Sequence, residues 1–446
     1  MADRLFGTDG VRGRAGEGWL REDRAALLAR AIGTCLAADG DARRALIGHD
    51  GRRSGPGLER AVARGLRAAG LEPVILGLTT TPGLALLTRL GDFGVGLMIS
   101  ASHNPAEDNG VKVFDAQGAK LPDEVEDRVE ALVAELEPVA DDGSAPSTEA
   151  GLEQRYVEHL LDHARGLDLA GLTIALDCAH GGGSRVAPRV LEALGARVVS
   201  IAADPDGSNI NDGCGSTHPD ALQAAVREHR ADLGVALDGD GDRCLLVNEH
   251  GELIDGDAML TLLALDLKQR GELPSDRIVA TVMSNKGLHR ALGDAQVGVT
   301  TVGVGDRRVV EALRAESLGL GGEQSGHIVF GPDNHFIGDG TLTALRVLRA
   351  MRTHSRSIGE LASVFSAFPQ VLVNTRVASK PAFETVPAVL EAVAECEREL
   401  GDDGRVLLRY SGTEPLARVM VEGPDQERIR AMAEALAELV AAELGS

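Results

Sequence analysis

The stretch LGVALDGDGDRCLLV, residues 233–247, decides how the chain is read. Leu233 to Leu237 and Cys244 to Val247 have the short apolar composition of buried strands. Between them Asp238, Asp240 and Asp242 alternate with glycines and are followed by Arg243. An apolar strand ending abruptly in charge suits a sheet covered on both faces, with ligand-binding loops at the strands' carboxyl ends. Upstream lie an apolar Thr173 to Leu176, a helix-like Arg185 to Leu194 and an apolar Arg197 to Ile201. The unit is therefore strand, helix, strand and a third strand that delivers a charged loop.

The same order occurs earlier, as Ala45 to Ile47, Leu58 to Ala69, Pro73 to Leu76 and Gly94 to Ile99. It recurs more weakly as Ile278 to Val282, Leu288 to Leu292, Val297 to Val302 and Leu318 to Leu320. Three topologically similar α/β domains with mainly parallel mixed sheets follow from this repetition. Their third strands end in SASHNP (100–105), DGDGDR (238–243) and GGEQSGH (321–327), so each domain is expected to give one wall of a common cleft. Pro138 to Thr148, rich in Pro, Gly and Asp, reads as a surface loop. From Val371 the order changes to a strand, a helix (Val386 to Leu400), a hairpin (Arg405 to Val421) and a final helix (Asp425 to Leu444). That is a smaller α+β domain, which puts the domains at 1–155, 156–255, 256–368 and 369–446.

Three carboxylates at every second position, with glycines that let the backbone curl, can aim their oxygens at one hard cation, and Mg²⁺ is the predicted guest. A solvated acidic turn is the plain alternative. An EF-hand loop is a second, since Glu249 falls at the spacing of its last ligand, although Arg243 stands where that loop needs glycine. An aspartyl-phosphate phosphatase is a third, and it leaves the other two loops without a role. Ser102 lies in a turn built by Asn104, Pro105 and Asn109-Gly110, with His103 and Lys112 close in sequence. A phosphorylated serine is a good phosphoryl donor once a cation neutralises its oxygens, yet the same serine reads equally well as a capping residue. Glu323, Ser325 and His327 suit sugar hydroxyls, and Arg409, Ser411, Gly412 and Thr413 suit a phosphate. Each loop alone is also an ordinary turn. Together they supply what reversible phosphate transfer on a sugar needs.

Bulk properties agree. A chain of 446 residues, 43% hydrophobic and 25% charged, has the composition of a multidomain globular protein. Its net charge of −23 argues against nucleic acid or an anionic membrane as partner, so a phosphorylated ligand requires locally placed cations. The 5 cysteines are widely spaced and form no CxxC pair. Neither a signal-peptide apolar region nor a membrane-spanning run is present, so a cytoplasmic location is expected.

These motifs identify a resemblance. GTDGVRG (7–13), ISASHNP (99–105) with DNGVK (108–112), DGDGDR (238–243), GEQSGH (322–327) and LLRYSGTEP (407–415) are similar, in this order, to the α-D-phosphohexomutase superfamily, most closely its bacterial phosphoglucosamine mutase branch. The resemblance implies a heart-shaped, four-domain isomerase in which Ser102 is the phosphoserine and Asp238, Asp240 and Asp242 join its phosphate on one Mg²⁺. It implies conversion of glucosamine 6-phosphate to glucosamine 1-phosphate, with a hexose bisphosphate as intermediate and activator, on the route to UDP-N-acetylglucosamine and cell wall. Arg12, His103, Lys112, Arg243 and His327 would surround the reacting phosphate. Glu323, Gln324 and Ser325 would meet the sugar, and Arg409, Ser411, Gly412, Thr413 and Arg418 the phosphate that is not reacting. Mannose or glucose phosphates are the alternative substrates, and a non-catalytic sugar-phosphate sensor is a remote one. A homodimer is compatible with the resemblance, and so is phosphorylation by a kinase or by the enzyme itself. Lys286 departs from the pattern at a place where an uncharged residue is expected.

Overall fold

The computed structural model describes residues 4–7, 9–37, 43–140, 143–411 and 415–445. They fall into two compact units, one of residues 1–283 with 297–364 and one of residues 284–296 with 365–446.

The larger unit contains three sheets that share one plan. In the first, Glu72–Leu78, Arg44–His49 and Val95–Ile99 lie side by side and parallel, and Asp108–Asp115 returns antiparallel to Val95–Ile99. The second repeats this with Arg197–Ile201, Thr173–Asp177, Leu233–Leu237 and Cys244–Val247. The third does so with Gly298–Val302, Arg277–Thr281, Leu320–Gly322 and Ile328–Phe330. The observed third strands, Val95–Ile99, Leu233–Leu237 and Leu320–Gly322, are buried along their whole length, and the last lies later than the expected Leu318 to Leu320, so Gly321 and Gly322 are strand residues and not loop. Each turns back antiparallel, so all three charged loops are hairpin connections at a strand's carboxyl end. In the first sheet Val11–Arg14 adds an outer strand that sets Arg12 opposite Gly110.

Several features differ from the sequence reading, among them the helices Glu22–Ala37, Thr81–Leu90, Asp123–Glu135, Leu152–His163, Asp220–His229 and Asp306–Ala315, which it did not give. Ser147 and Thr148, expected in a surface loop, pair in parallel with Val74 and Ile75 as an edge strand, while residues 141–142 lie outside the described residues. The helices Gly256–Gln269 and Gly340–His354 were not anticipated. Both are buried around most of their circumference, and that coverage erases the one-sided periodicity by which a surface helix is read. Among the described residues no helix is long and apolar enough to cross a membrane.

In the smaller unit, Gln370–Arg376, Leu416–Glu422 and Arg405–Tyr410 form an antiparallel sheet. Val419, Val421, Val389, Ile429 and Leu436 join this sheet to the helices Pro387–Leu400 and Gln426–Leu444 in one core. The helix Lys286–Asp294 belongs to this unit as well. Its capping residue Asn285 donates to the buried Glu422 carboxylate at 3.3 Å, and Lys286 Nζ donates to Gly404 O at 3.0 Å. The unexpected charge of Lys286 is thus engaged by a backbone carbonyl of its own unit.

Candidate active site

Ser102 sits in the turn after Val95–Ile99 and is 1% exposed. Its φ of 53° is a left-handed conformation that a non-glycine residue holds only when its surroundings impose it. Its N–H donates to Ser100 Oγ at 2.9 Å, and its own Oγ donates to Asp238 Oδ2 at 2.6 Å. His103 Nδ1 lies 3.4 Å from Ser102 Oγ. The loops of the first two repeats therefore meet at the serine oxygen.

Asp238, Asp240 and Asp242 are buried, and each offers a carboxylate oxygen within 4.8 Å of the others. Asp240 Oδ1 and Asp242 Oδ1 are buried without a hydrogen-bond partner. Orphaned carboxylate oxygens are costly, and their convergence fits a hard cation with oxygen ligands. The group can hold a metal ion. Glu249, which an EF-hand would need as a ligand, instead accepts from Gly359 N–H at 3.1 Å and from Ser357 Oγ. Burial and the charges of Asp242 and Asp240 hold Asp238 well above the usual carboxylate range. Burial opposes the charge of Asp242 too, but Lys112, His327 and Arg243 outweigh it and hold that carboxyl well below the usual range.

The predicted cations are assembled around this cluster. Lys112 Nζ, 1% exposed as a residue, lies 2.7 Å from Asp240, 2.9 Å from Asp9 and 3.3 Å from Asp242. Against the cost of burial, these three carboxylates raise its pKa well above the ordinary lysine value. Arg243 donates its backbone N–H to Asp238 Oδ1 at 3.2 Å, and its buried Nε has no hydrogen-bond partner. His327 Nδ1 stands 3.8 Å from Asp242 Oδ1, and Asp242 and Asp306 raise its pKa despite burial. His103 is the opposite case: burial, Arg243 and Arg12 lower its pKa to about 4, so the ring is neutral near pH 7. Arg12 itself pairs with Asp9.

In the third loop Glu323 Oε1 accepts from Gly305 N–H at 3.1 Å, and the buried Ser325 Oγ has no hydrogen-bond partner. Gln324 Nε2 donates to Asp255 Oδ2 at 3.2 Å, so its amide is tied to the cap of the helix Gly256–Gln269. In the smaller unit Arg409 and Arg418 are directly opposite cross-strand partners. Like charges so placed repel, which an anion between them would relieve. Ser411 is buried, and Gly412 and Thr413 lie outside the described residues.

Several neighbours were not anticipated. Asp9 joins Lys112, Arg12 and Lys120, and Lys120 continues to Asp306. Thr81 donates its N–H to Asp240 O at 2.8 Å and its hydroxyl to the Asp240 carboxylate. Asp50, Arg52 and Asn211 surround the serine loop. Asp9 was readable to the extent that it lies in the GTDGVRG motif; the others carry no local signal.

Three matched α/β repeats whose loops bring a buried serine to a carboxylate cluster describe an enzyme of phosphoryl transfer, and comparison with known proteins gives that class a family. Models of the phosphoglucomutase/phosphomannomutase α/β/α domains I, II and III match residues 3–139, 154–251 and 255–368, and that of the C-terminal domain matches residues 372–439. The chain belongs to this family, whose members are isomerases of the mutase type. It is similar to the phosphoglucosamine mutase of Nocardia farcinica, 50% identical over 98% of this chain and 99% of that protein. It is also similar to the phosphoglucosamine mutase of Rhodococcus jostii, 52% identical over the same shares of each chain. Among solved structures, a phosphoglucomutase/phosphomannomutase family protein from Burkholderia thailandensis superposes with a TM-score of 0.82, at 25% identity, over 99% of this chain and 98% of that one.

Proposed function

We propose that the chain interconverts α-D-glucosamine 6-phosphate and α-D-glucosamine 1-phosphate, passing a phosphoryl group through Ser102 and glucosamine 1,6-bisphosphate. The observation that carries this reading is Ser102 Oγ, 2.6 Å from Asp238, beside two aspartates with oxygens that lack hydrogen-bond partners. The choice of glucosamine is supported by the relatives at 50% and 52% identity, which bear that activity in their names.

In this reading Asp238, Asp240 and Asp242, with the phosphate on Ser102, hold Mg²⁺. Bound there, it supplies neutralisation of the phosphoryl oxygens as the bond to Ser102 breaks. Lys112, kept charged by Asp240, Asp9 and Asp242, serves as a fixed cation beside the phosphate and not as a proton acceptor. Arg243, Arg12 and His327 add positive charge where the transferring group is most anionic. The neutral His103 ring, with Nδ1 3.4 Å from Ser102 Oγ, lies on the leaving-oxygen side of an in-line transfer, where it would hydrogen-bond that oxygen. Glu323 and Ser325 hold sugar hydroxyls, while Arg409, Ser411 and Arg418, with Gly412 and Thr413, hold the second phosphate. Two phosphate positions and one donor serine require the bisphosphate to turn round between the two transfers.

Incubation of the phosphorylated, Mg²⁺-loaded protein with glucosamine 6-phosphate, followed by ³¹P NMR, tests this. A growing 1-phosphate signal is expected. If glucosamine 6-phosphate persists while mannose 6-phosphate or glucose 6-phosphate is isomerised, the sugar assignment is wrong.

A further inference from the structure

Arg52 follows the strand Arg44–His49 and is wholly buried. A buried arginine must use its donors, and this one uses all of them on one loop and its support. Nε donates to Asp50 Oδ2 at 2.9 Å. One terminal nitrogen donates to the carbonyls of Pro105 and, at 2.9 Å, Asp108, and the other to those of Ser102 at 2.9 Å and Asn104 at 2.8 Å. Asn211, from the second repeat, brings its Nδ2 to the same two carbonyls, 2.9 Å from Ser102 O and 3.0 Å from Asn104 O. Asp50 also accepts from Ser100 Oγ at 2.6 Å, and that oxygen receives the Ser102 N–H.

Ser102 is thus gripped at both ends of its peptide unit, through its carbonyl by Arg52 and Asn211 and through its N–H by the Asp50–Ser100 pair. We propose that Arg52, seconded by Asn211, is a positioning residue for phosphoryl transfer: it imposes the left-handed backbone of Ser102 and thereby aims Oγ at Asp238. The proposal rests on the reading of Ser102 as phosphoryl carrier. A guanidinium is needed because its planar fork reaches four carbonyls at once, which a lysine ammonium of similar charge cannot do. Three of those carbonyls, of Ser102, Asn104 and Pro105, lie in the serine loop and the fourth, of Asp108, opens the strand Asp108–Asp115, so the interaction ties the loop to the sheet.

The test uses Arg52→Lys and Asn211→Ala in the full chain, with kcat, KM and the melting temperature measured for each. Misaiming the donor oxygen lowers kcat of Arg52→Lys by about 100-fold, with the KM for sugar phosphate near the wild-type value. Asn211→Ala lowers kcat less, and the double variant loses less than the product of the two, because both act on the same carbonyls. Guanidinium ion added to Arg52→Ala restores part of kcat. If Arg52→Lys does not fold, the kcat and KM of Asn211→Ala carry the same test. Wild-type kcat in the folded fraction of Arg52→Lys, or of Asn211→Ala where only that variant folds, overturns the proposal. A wild-type protein that takes no phosphate on Ser102 overturns the phosphoserine reading instead.

Discussion

Asp240 shows how closely each residue of the cluster is used. One of its oxygens receives Lys112 and Thr81, and the other has no hydrogen-bond partner. Asp240→Asn keeps the shape and removes the charge, so Mg²⁺ affinity should fall by more than the roughly 10–100-fold that follows loss of an outer-sphere partner. Isothermal titration with Mg²⁺ reads this directly, and an unchanged Kd would take Asp240 out of the metal site. At this scale the sequence was informative only where chemistry lies in contiguous letters. Ser102, Asp238, Asp240 and Asp242 stand out because aspartates alternating with glycines and a serine in an Asn-Pro turn are locally unusual. Arg52 and Asn211 reach the serine loop from 50 and 109 residues away in sequence, and nothing in GRRSG or NDG distinguishes a buried clamp from an ordinary polar turn.

At the scale of elements, the helix Gly55–Ala68 carries a buried cost. Burial pushes the Glu59 carboxyl up to about 7, with His49 Nε2 3.6 Å away. The unfolded chain ionises this group near its ordinary value, so the folded form holds the proton more tightly between the two. Stability from this group is complete at low pH and is lost as pH rises through about 7. Glu59→Gln should therefore raise the melting temperature near pH 8 and change it little near pH 5, and a gain confined to low pH would contradict the assignment. Close packing between elements gives a second case. A Cβ on Gly256, the first residue of its helix, would stand 2.0 Å from Glu323 O, whose loop also accepts the Gly256 N–H through Gln324 O at 3.0 Å. Gly256→Ala is expected to cost about 1–3 kcal/mol of stability by urea denaturation and to raise the KM for sugar phosphate, since the displaced loop carries Glu323 and Ser325. The parallel strands were legible because they are short apolar runs, whereas their order within each sheet and the returning strands Asp108–Asp115 and Ile328–Phe330 were not. The helices Gly256–Gln269 and Gly340–His354 were not, because burial on nearly every side removes the periodic contrast.

Across the molecule, the repeat is what gives the individual loops their meaning, since three similar sheets deliver three charged hairpins from equivalent strand ends. The division into two units makes a thermodynamic prediction of its own. The single tryptophan, Trp19, packs against the core of the larger unit with the Arg24 guanidinium 5.3 Å from its ring centroid. Its fluorescence should report unfolding of that unit alone, while far-ultraviolet circular dichroism follows both, so the two denaturation curves should not coincide. Coincident curves would mean that the chain unfolds as one cooperative body. The central claim, that phosphate passes through Ser102, is tested most directly by intact-mass analysis and phosphopeptide mapping after exposure to glucosamine 1,6-bisphosphate with Mg²⁺. The expected result is one phosphoryl group on Ser102, absent from Ser102→Ala; on adding glucosamine 6-phosphate an isotopically labelled phosphoryl group on Ser102 passes to the sugar phosphate while the serine is rephosphorylated. A protein that remains unmodified at Ser102, or whose labelled phosphoryl group stays on Ser102 while substrate is turned over, would contradict it.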